Sequence, residues 1–202
     1  AVKLAKQADV VIAVLGESQR LSGEAASRSD IGLPGRQLEL LKALKSAGKP
    51  VVLVVMNGRP LTLQWEADNI PAIVEAWHLG VEAGNALADI LTGAVNPSGK
   101  LPVTFPRNLG QVPLYYNHKS TGRPFSVKDH YTTRYLDVPN TPLFPFGHGL
   151  SYTTFAYSAL TVAKNEITAG STLDVSVTVA NTGTRAGDEV VQLYLRDDVA
   201  SV

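Results

Sequence analysis

The sequence predicts an α/β fold with a mainly parallel sheet, followed by the start of a smaller all-β domain. Two apolar runs rich in β-branched residues, 10–15 and 50–56, are continuous rather than alternating, which is typical of strands buried on both faces. An amphipathic segment lies between them, as a strand–helix–strand crossover requires. After Leu150, polar and apolar residues alternate, which is typical of an antiparallel sheet with one buried face.

The predicted elements of the α/β part alternate along the chain. They are strand 10–15, helix 35–47, strand 50–56, strand 72–77, helix 82–91 and an extended segment 101–105. Pro102 and Pro106 bound the last of these, so we expect an edge position for it. In the all-β part, the alternation of polar and apolar residues predicts strands 160–162, 172–180 and 189–195. A β-sandwich needs about seven strands, so this second domain is expected to be incomplete.

We therefore predict three segments. They are an α/β sandwich domain at 1–106 that lacks its N-terminal part, an extended connection at 107–156 packed on it, and an incomplete β-sandwich domain at 157–202. Residues 1–8 have the pattern of a helix end running into a strand, and the last strand pattern stops with no closing element. With no signal peptide in the sequence, we expect an internal part of a longer protein.

The composition excludes several classes of protein. Hydrophobic residues make up 45% of the 202 residues and charged residues 18%, which supports a folded core. The formal net charge is zero, so the sequence indicates no nucleic-acid partner and no anionic membrane surface. No run of about 20 apolar residues predicts a membrane span. Without cysteine the chain has neither a disulfide nor a thiolate metal site.

The loop 16–33 is the strongest candidate for a functional site. It leaves the carboxyl end of the first strand, where open α/β sheets bind ligands, and is longer than the usual two to six or so residues. Glu24 is the candidate general acid, and a solvated loop charge is its alternative. Glu17 competes for this role, although its place directly after the strand favours holding the loop through backbone amides, Arg20 or Arg28.

Other motifs give weaker signals. The segment 16–20 nearly matches the nucleophile elbow G-x-S-x-G around Ser18, but Arg20 stands at its last position and no helix follows at once. Asp30 is a candidate to cap the coming helix. Trp77 and His78 end a strand at the same edge, where the tryptophan could stack on a sugar or pack in the core. The chain's histidines show no metal-binding spacing.

Five stretches carry a family resemblance. In chain order they are LSGEAASRSDIGLPGRQLELLKAL, VVLVVMNGRPL, AIVEAWHLGVEAGNALADILTGAVNPSGKLPVTFP, LFPFGHGLSYTTF and NTGTRAGDEVVQLYL. They resemble consecutive parts of glycoside hydrolase family 3, in particular its bacterial periplasmic β-glucosidases, over nearly the whole chain. The resemblance implies that an N-terminal (β/α)8 barrel precedes the three-layer α/β sandwich domain, and that a fibronectin type III-like domain follows it.

The resemblance also implies an activity and a site. Family members remove terminal β-linked sugars, usually glucose, with retention, so β-glucosides or cello-oligosaccharides are the expected substrates, with no cofactor and no metal, in the periplasm or outside the cell. The nucleophile is an aspartate of the barrel, which this chain lacks. The acid/base matches Glu24, with Glu17 as the fallback, and Arg20 and Arg28 are expected to bind substrate.

Several alternatives stay open at this point. The isolated chain is expected to be inactive because it holds only one of the two carboxyls. It could instead be a non-catalytic carbohydrate-binding or scaffold segment, with a β-xylosidase or a serine hydrolase as weaker possibilities.

Overall fold

The computed structural model describes residues 1–119 and 122–197. The predicted connection 107–156 and the predicted domain 157–202 each include residues outside these ranges. The chain divides into two units, of which the first contains 1–83 and 101–148 and the second contains 84–100 and 149–194. In chain order the helices and strands are α1 (Val2–Ala5), β1 (Val11–Gly16), α2 (Gln37–Lys45), β2 (Val51–Met56), α3 (Gln64–Asn69), β3 (Ala72–Glu75), α4 (Ala83–Thr92), β4 (Phe155–Val162) and β5 (Val175–Asn181).

A parallel sheet with the order β1-β2-β3 forms the centre of the first unit. The central strand β2 is buried on both faces, and Leu53, Val54 and Val55 have no exposed surface. On β1, by contrast, Ile12 and Val14 are about half exposed, at 49% and 54%. The predicted parallel strands are therefore confirmed, whereas burial on both faces is complete only for the strand that has two neighbours.

The core of this unit forms between the sheet, α2 and the segments that follow β2. Helix α2 contributes its buried Leu41 and Leu44, as the predicted apolar stripe requires. Other members of the core cluster are Leu53, Leu61, Leu63, Ile70 and Phe105. The short helix α3, which lies between Leu63 and Ile70, was not predicted because its six residues show no apolar stripe.

The predicted extended segment 101–105 does not form a strand. It makes a single antiparallel bridge, in which Phe105 pairs with Phe144. Proline has no N–H to donate, and Pro102 and Pro106 flank the segment, so a longer ladder could not form on this side. The Phe105 ring is 99% buried and lies edge-on to Phe144, with ring centroids 6.2 Å apart.

The second unit holds α4 and an antiparallel pair of strands, β4 and β5. Two of the three strands predicted after residue 156, 160–162 and 172–180, are confirmed with shifted ends. The predicted helix 82–91 is confirmed within one residue. The predicted strand 189–195 is wrong, because the residues described there are not in a strand. Val175, Val177 and Val179 of β5 are each about one third exposed, at 36–37%. No helix within the described ranges is both long and apolar enough to cross a membrane.

Candidate active site

All three strands of the parallel sheet end in polar residues. Glu17 follows β1, the turn Asn57–Arg59 follows β2, and Glu75 is the last residue of β3, with His78 shortly after it. Because the carboxyl ends of parallel strands lie at one edge of a sheet, these residues share that edge with the loop after β1. This edge is the candidate site.

The exit from β1 is fixed by a glycine and a glutamine. Gly16 has a φ of +141°, and a Cβ atom there would lie 1.9 Å from the backbone oxygen of Met56. The side chain of Gln37, at the start of α2, donates to Gly16 O at 2.8 Å and accepts from Gly16 N at 2.7 Å. The N–H of Glu17 donates to Met56 O at 2.8 Å. The direction in which the loop leaves the sheet is therefore set by contacts of the Gly16 and Glu17 backbone, two of which come from the Gln37 side chain.

Glu17 is buried between two arginines. Arg28 Nη1 lies 2.7 Å from Glu17 Oε1, and Arg59 Nε lies 3.1 Å from the same oxygen. The second oxygen accepts a long hydrogen bond from Gly58 N at 3.4 Å. The side chain of Glu17 has no exposed surface. Of the partners that the sequence left open, Arg28 and a backbone amide are the ones observed, and the contacts favour a role for Glu17 in holding the loop.

Glu24 is exposed at the tip of a turn. The turn spans residues 23–26 and is closed by a hydrogen bond from Ala26 N to Gly23 O at 3.3 Å. Ala25 has a φ of +58°, a left-handed conformation that is uncommon for residues other than glycine. Among the residues that the structure describes, none hydrogen-bonds or pairs with the Glu24 carboxylate. Its carboxylate is therefore available to a group outside this turn.

Arg59 holds the base of this turn. Its Nη2 atom donates to Ala26 O at 2.7 Å and also to Leu21 O, so one nitrogen bridges the chain before and after the turn. Its Nε atom pairs with Glu17 at the same time. Arg59 thus ties the turn that carries Glu24 to the end of β2, and its contacts were not predicted from the sequence.

The two arginines predicted to bind substrate have different surroundings. Arg20 lies in a single 3-10 turn, Gln19–Leu21, and is exposed. Arg28 is partly buried and uses Nη1 on Glu17 and Nη2 on Gly32 O, at 3.0 Å. The structure therefore leaves only Arg20 exposed, whereas the observed contacts of Arg28 lie within the chain.

Two local expectations for this loop are corrected. Asp30 does not cap α2, because that helix begins only at Gln37. Its side chain instead accepts a hydrogen bond from Gly32 N at 2.8 Å, which makes a local Asx turn. Ser18 precedes a single 3-10 turn rather than the α-helix that a nucleophile elbow requires, which weakens the serine hydrolase alternative.

The end of β3 carries a buried acid and a strained tryptophan. Glu75 Oε1 accepts a hydrogen bond from Trp77 N at 3.2 Å. Burial raises the pKa of Glu75 to about 7, against the lowering effect of hydrogen bonds from Trp77 N–H and the Asn57 side chain. Trp77 has a φ of +53°, and its ring packs on Phe105 with centroids 5.8 Å apart. The packing favours the core interpretation of Trp77.

Ser22, Gly58 and His78 meet closely at this edge. A Cβ atom on Gly58 would lie 1.8 Å from Ser22 Oγ and 3.1 Å from His78 Cδ2. Glycine is therefore required where the loop crosses the turn after β2. Across the described residues, no group of three or more histidine, aspartate or glutamate side chains is placed to hold a metal ion.

The fold and the site define a class of α/β domain in which a loop at the carboxyl edge of a parallel sheet presents a carboxylate. Within that class, the chain belongs to glycosyl hydrolase family 3, because the model of the family's C-terminal domain matches residues 1–152. This confirms the family predicted from the sequence motifs.

Individual relatives agree with this assignment. The chain is 53% identical to a periplasmic beta-glucosidase of Salmonella typhimurium, over 100% of the chain and 27% of that protein. It is 48% identical to a beta-xylosidase of Formosa agariphila, again over 100% of the chain and 27% of the relative. The crystal structure of a beta-glucosidase from Listeria innocua in complex with glucose superposes with a TM-score of 0.94 and 44% identity, over 100% of the chain and 28% of that protein. The chain thus spans about a quarter of the length of these relatives.

Proposed function

We propose that the chain is part of a retaining, exo-acting β-glucosidase and that it supplies the general acid/base, Glu24. The observation that carries the proposal is an exposed carboxylate with no partner among the described residues, on a turn whose base Arg59 holds. Membership of a glycosyl hydrolase family supports glycosidase chemistry. The relatives named beta-glucosidases support glucose as the sugar.

The chemistry requires two carboxyls. In a retaining glycosidase they stand about 5–5.5 Å apart, which leaves no room for a water molecule between them before the first step. An aspartate on the preceding barrel domain attacks the anomeric carbon, while Glu24 gives its proton to the leaving oxygen. Glu24 then takes a proton from the water that hydrolyses the glycosyl-enzyme.

The contacts of Glu24 and Glu17 suit different parts in this scheme. An acid that serves a sugar bound to another domain must point away from its own sheet, as the exposed Glu24 does. Glu17 is buried and held by Arg28 and Arg59, so it supports the loop. The isolated chain should therefore show no turnover, since it provides one carboxyl of the pair.

The proposed substrates are β-glucosides or cello-oligosaccharides. A relative solved in complex with laminaribiose also supports a β-linked glucoside. The beta-xylosidase relative makes β-xylosides the second candidate. The ratio of kcat/KM for an aryl β-glucoside and an aryl β-xyloside separates the two. The periplasmic relative supports a periplasmic or secreted location.

The test is Glu24→Gln in the full-length enzyme. We expect kcat on an unactivated β-glucoside to fall by about 10²–10⁴-fold, the usual contribution of general acid–base catalysis. With an activated aryl glucoside, azide should restore turnover and give a glucosyl azide, because azide needs no general base. The matched control is Glu39→Gln, which removes an exposed carboxylate of α2 and should leave the rate unchanged.

Three results would contradict the proposal. The first is an unchanged rate for Glu24→Gln, and the second is turnover of an aryl glucoside by the pure chain 1–202. The third is a Glu24→Ala variant that keeps both its turnover rate and its thermal shift with glucose, which would favour a non-catalytic carbohydrate-binding role for this chain. Labelling of Ser18 by a fluorophosphonate would instead favour the serine hydrolase alternative.

A further inference from the structure

We propose that His78 binds a hydroxyl group of the leaving group and so favours substrates in which a second sugar is released. The inference rests on the proposed function, because it takes the reaction to be the transfer of a glucosyl group at the carboxyl edge of the sheet. Its own evidence is the placement of His78 beside the loop that carries Glu24.

The backbone immediately before His78 has an uncommon conformation. Trp77 has a φ of +53°, in the left-handed region that a bulky residue rarely adopts. Its N–H donates to Glu75 Oε1 at 3.2 Å, and its ring packs on Phe105 with centroids 5.8 Å apart. Residues held in such conformations by their surroundings cluster at binding and catalytic sites. The conformation of Trp77 fixes the path of the chain after β3, and His78 is the next residue on that path.

This path brings His78 to the base of the turn that carries Glu24. A Cβ atom on Gly58 would lie 1.8 Å from Ser22 Oγ and 3.1 Å from His78 Cδ2, so the serine and the imidazole meet over the Gly58 backbone. Ser22 stands two residues before Glu24, a distance of at most about 7 Å along the chain. Arg59, which follows Gly58, donates to main-chain oxygens on both sides of the turn. His78 and Glu24 therefore belong to one small region of the edge.

The imidazole of His78 is available to a ligand. The residue is exposed, and no hydrogen bond joins its ring to another residue within the ranges that the structure describes. By contrast, His130 Nδ1 lies 3.0 Å from Arg134 Nη2, and the ring of His148 stacks on Phe144 with centroids 5.2 Å apart. A neutral imidazole offers one donor and one acceptor, and a sugar hydroxyl can pair with either of them.

The proposed mechanism decides which part of a substrate meets this edge. The nucleophile belongs to another domain, and Glu24 gives its proton to the leaving oxygen. The leaving group departs on the side opposite the nucleophile, which is the side of the domain that carries Glu24. A polar side chain beside the Glu24 turn is therefore placed to contact the leaving group.

The experiment compares two substrates of the full-length enzyme that share the glucosyl group and differ in the leaving group, cellobiose and 4-nitrophenyl β-D-glucoside. The nitrophenyl group carries no sugar hydroxyl. His78→Leu, which has no polar side-chain atom, should lower kcat/KM for cellobiose by about tenfold, the equivalent of about 1.4 kcal/mol and the size of one hydrogen bond. With the aryl glucoside the same variant should stay within about twofold of the wild type, which also shows that it folds.

His78→Gln serves as the matched variant. Its amide keeps a donor and an acceptor, so kcat/KM should stay within about threefold of the wild type for both substrates. An unchanged value for cellobiose in His78→Leu, or equal losses with the two substrates, would overturn the inference. A loss in His78→Gln as large and selective as in His78→Leu would overturn the hydrogen-bonding role.

A second measurement uses glucose as an acceptor and the aryl glucoside as the donor. A hydroxyl oxygen of the acceptor bonds to the anomeric carbon, the bond to the nucleophile aspartate breaks, and the hydroxyl proton goes to the general base. The acceptor occupies the place of the leaving group, so the glucose concentration for half-maximal disaccharide formation should rise about tenfold in His78→Leu. An unchanged concentration would contradict the inference.

Failure of this inference can be told apart from failure of the proposed function. If Glu24→Gln is fully active while His78→Leu loses cellobiose selectively, Glu24 is not the acid and the leaving-group contact of His78 stands. If Glu24→Gln is inactive while both His78 variants behave as the wild type, the proposed function stands and the role of His78 is refuted.

Discussion

Glu17 and Glu24 lie on the same loop, but the structure predicts that only Glu17→Gln lowers stability, whereas Glu24→Gln leaves it unchanged. In Glu17→Gln the amide keeps its size but loses the charge that faces Arg28 at 2.7 Å and Arg59 at 3.1 Å. Breaking a buried ion pair by removing one partner costs about 3–5 kcal/mol. The two arginines are 15% and 23% exposed and can regain some solvent, so we expect about 2–4 kcal/mol.

The assay is urea unfolding of the chain 1–202 at pH 7, followed by tryptophan fluorescence. Both tryptophans, Trp65 and Trp77, lie in the first unit, so the signal reports on the unit that contains the loop. With a urea m-value of about 2 kcal/mol/M, Glu17→Gln should lower the midpoint by about 1–2 M. Glu24→Gln should leave the midpoint unchanged, because its carboxylate is exposed and unpaired in the described structure.

The matched control is Glu39→Gln, which breaks an exposed ion pair with Arg36 on α2 and should also leave the midpoint unchanged. The reasoning is refuted if Glu17→Gln unfolds at the wild-type midpoint. It is refuted equally if Glu24→Gln lowers the midpoint as much as Glu17→Gln does, since Glu24 would then have a structural role.

Two further predictions concern the edges of the sheet. Gly16→Ala should destabilise the chain by more than about 4 kcal/mol, because its Cβ would lie 1.9 Å from Met56 O. The control is Gly48→Ala, at a φ of +80° with open space around the Cβ, which should cost only about 1–2 kcal/mol. Equal urea midpoints for the two variants would contradict the prediction. Stability should also fall as pH rises from 4.5 to about 7, because the unfolded chain loses the Glu75 proton while the folded chain keeps it. The loss of unfolding free energy amounts to about 3 kcal/mol at most, and Glu75→Gln should abolish it. If the urea midpoint of Glu75→Gln falls between pH 5 and 7.5 as steeply as that of the wild type, another group is responsible.

The elements that could be predicted were those whose pattern reflects their own burial. The apolar runs of β1 and β2 and the stripe of α2 follow directly from the sheet and its covering helix. The alternation at 189–195 is equally regular, but a strand also needs a hydrogen-bonding neighbour, and the structure forms no strand at those residues. Helix α3 forms without such a pattern, because a helix of six residues is too short to show an apolar period.

The loop at the carboxyl edge could be selected from the sequence as the candidate site, which stays a prediction, but the side chains that support this loop were not foreseen. The rule that directs attention to the loop after β1 applies equally to the turn after β2, which contains Arg59. Its guanidinium contacts residues 33 and 38 positions earlier in the chain, and such pairings leave no local pattern. The acid at the end of β3 was overlooked because Glu75 continues an apolar strand, where it resembles an ordinary strand end.

The attachment of the turn 23–26 has a consequence for how the sequence of this turn can vary. The hydrogen bonds from Arg59 Nη2 to this part of the chain go to main-chain oxygens on either side of the tip, Leu21 O and Ala26 O. Because main-chain carbonyls are common to all amino acids, substitutions at positions 24 and 25 leave these hydrogen bonds intact. Libraries randomised at positions 24 and 25 should therefore yield many variants that remain well folded, so they can be screened without first adding thermostability.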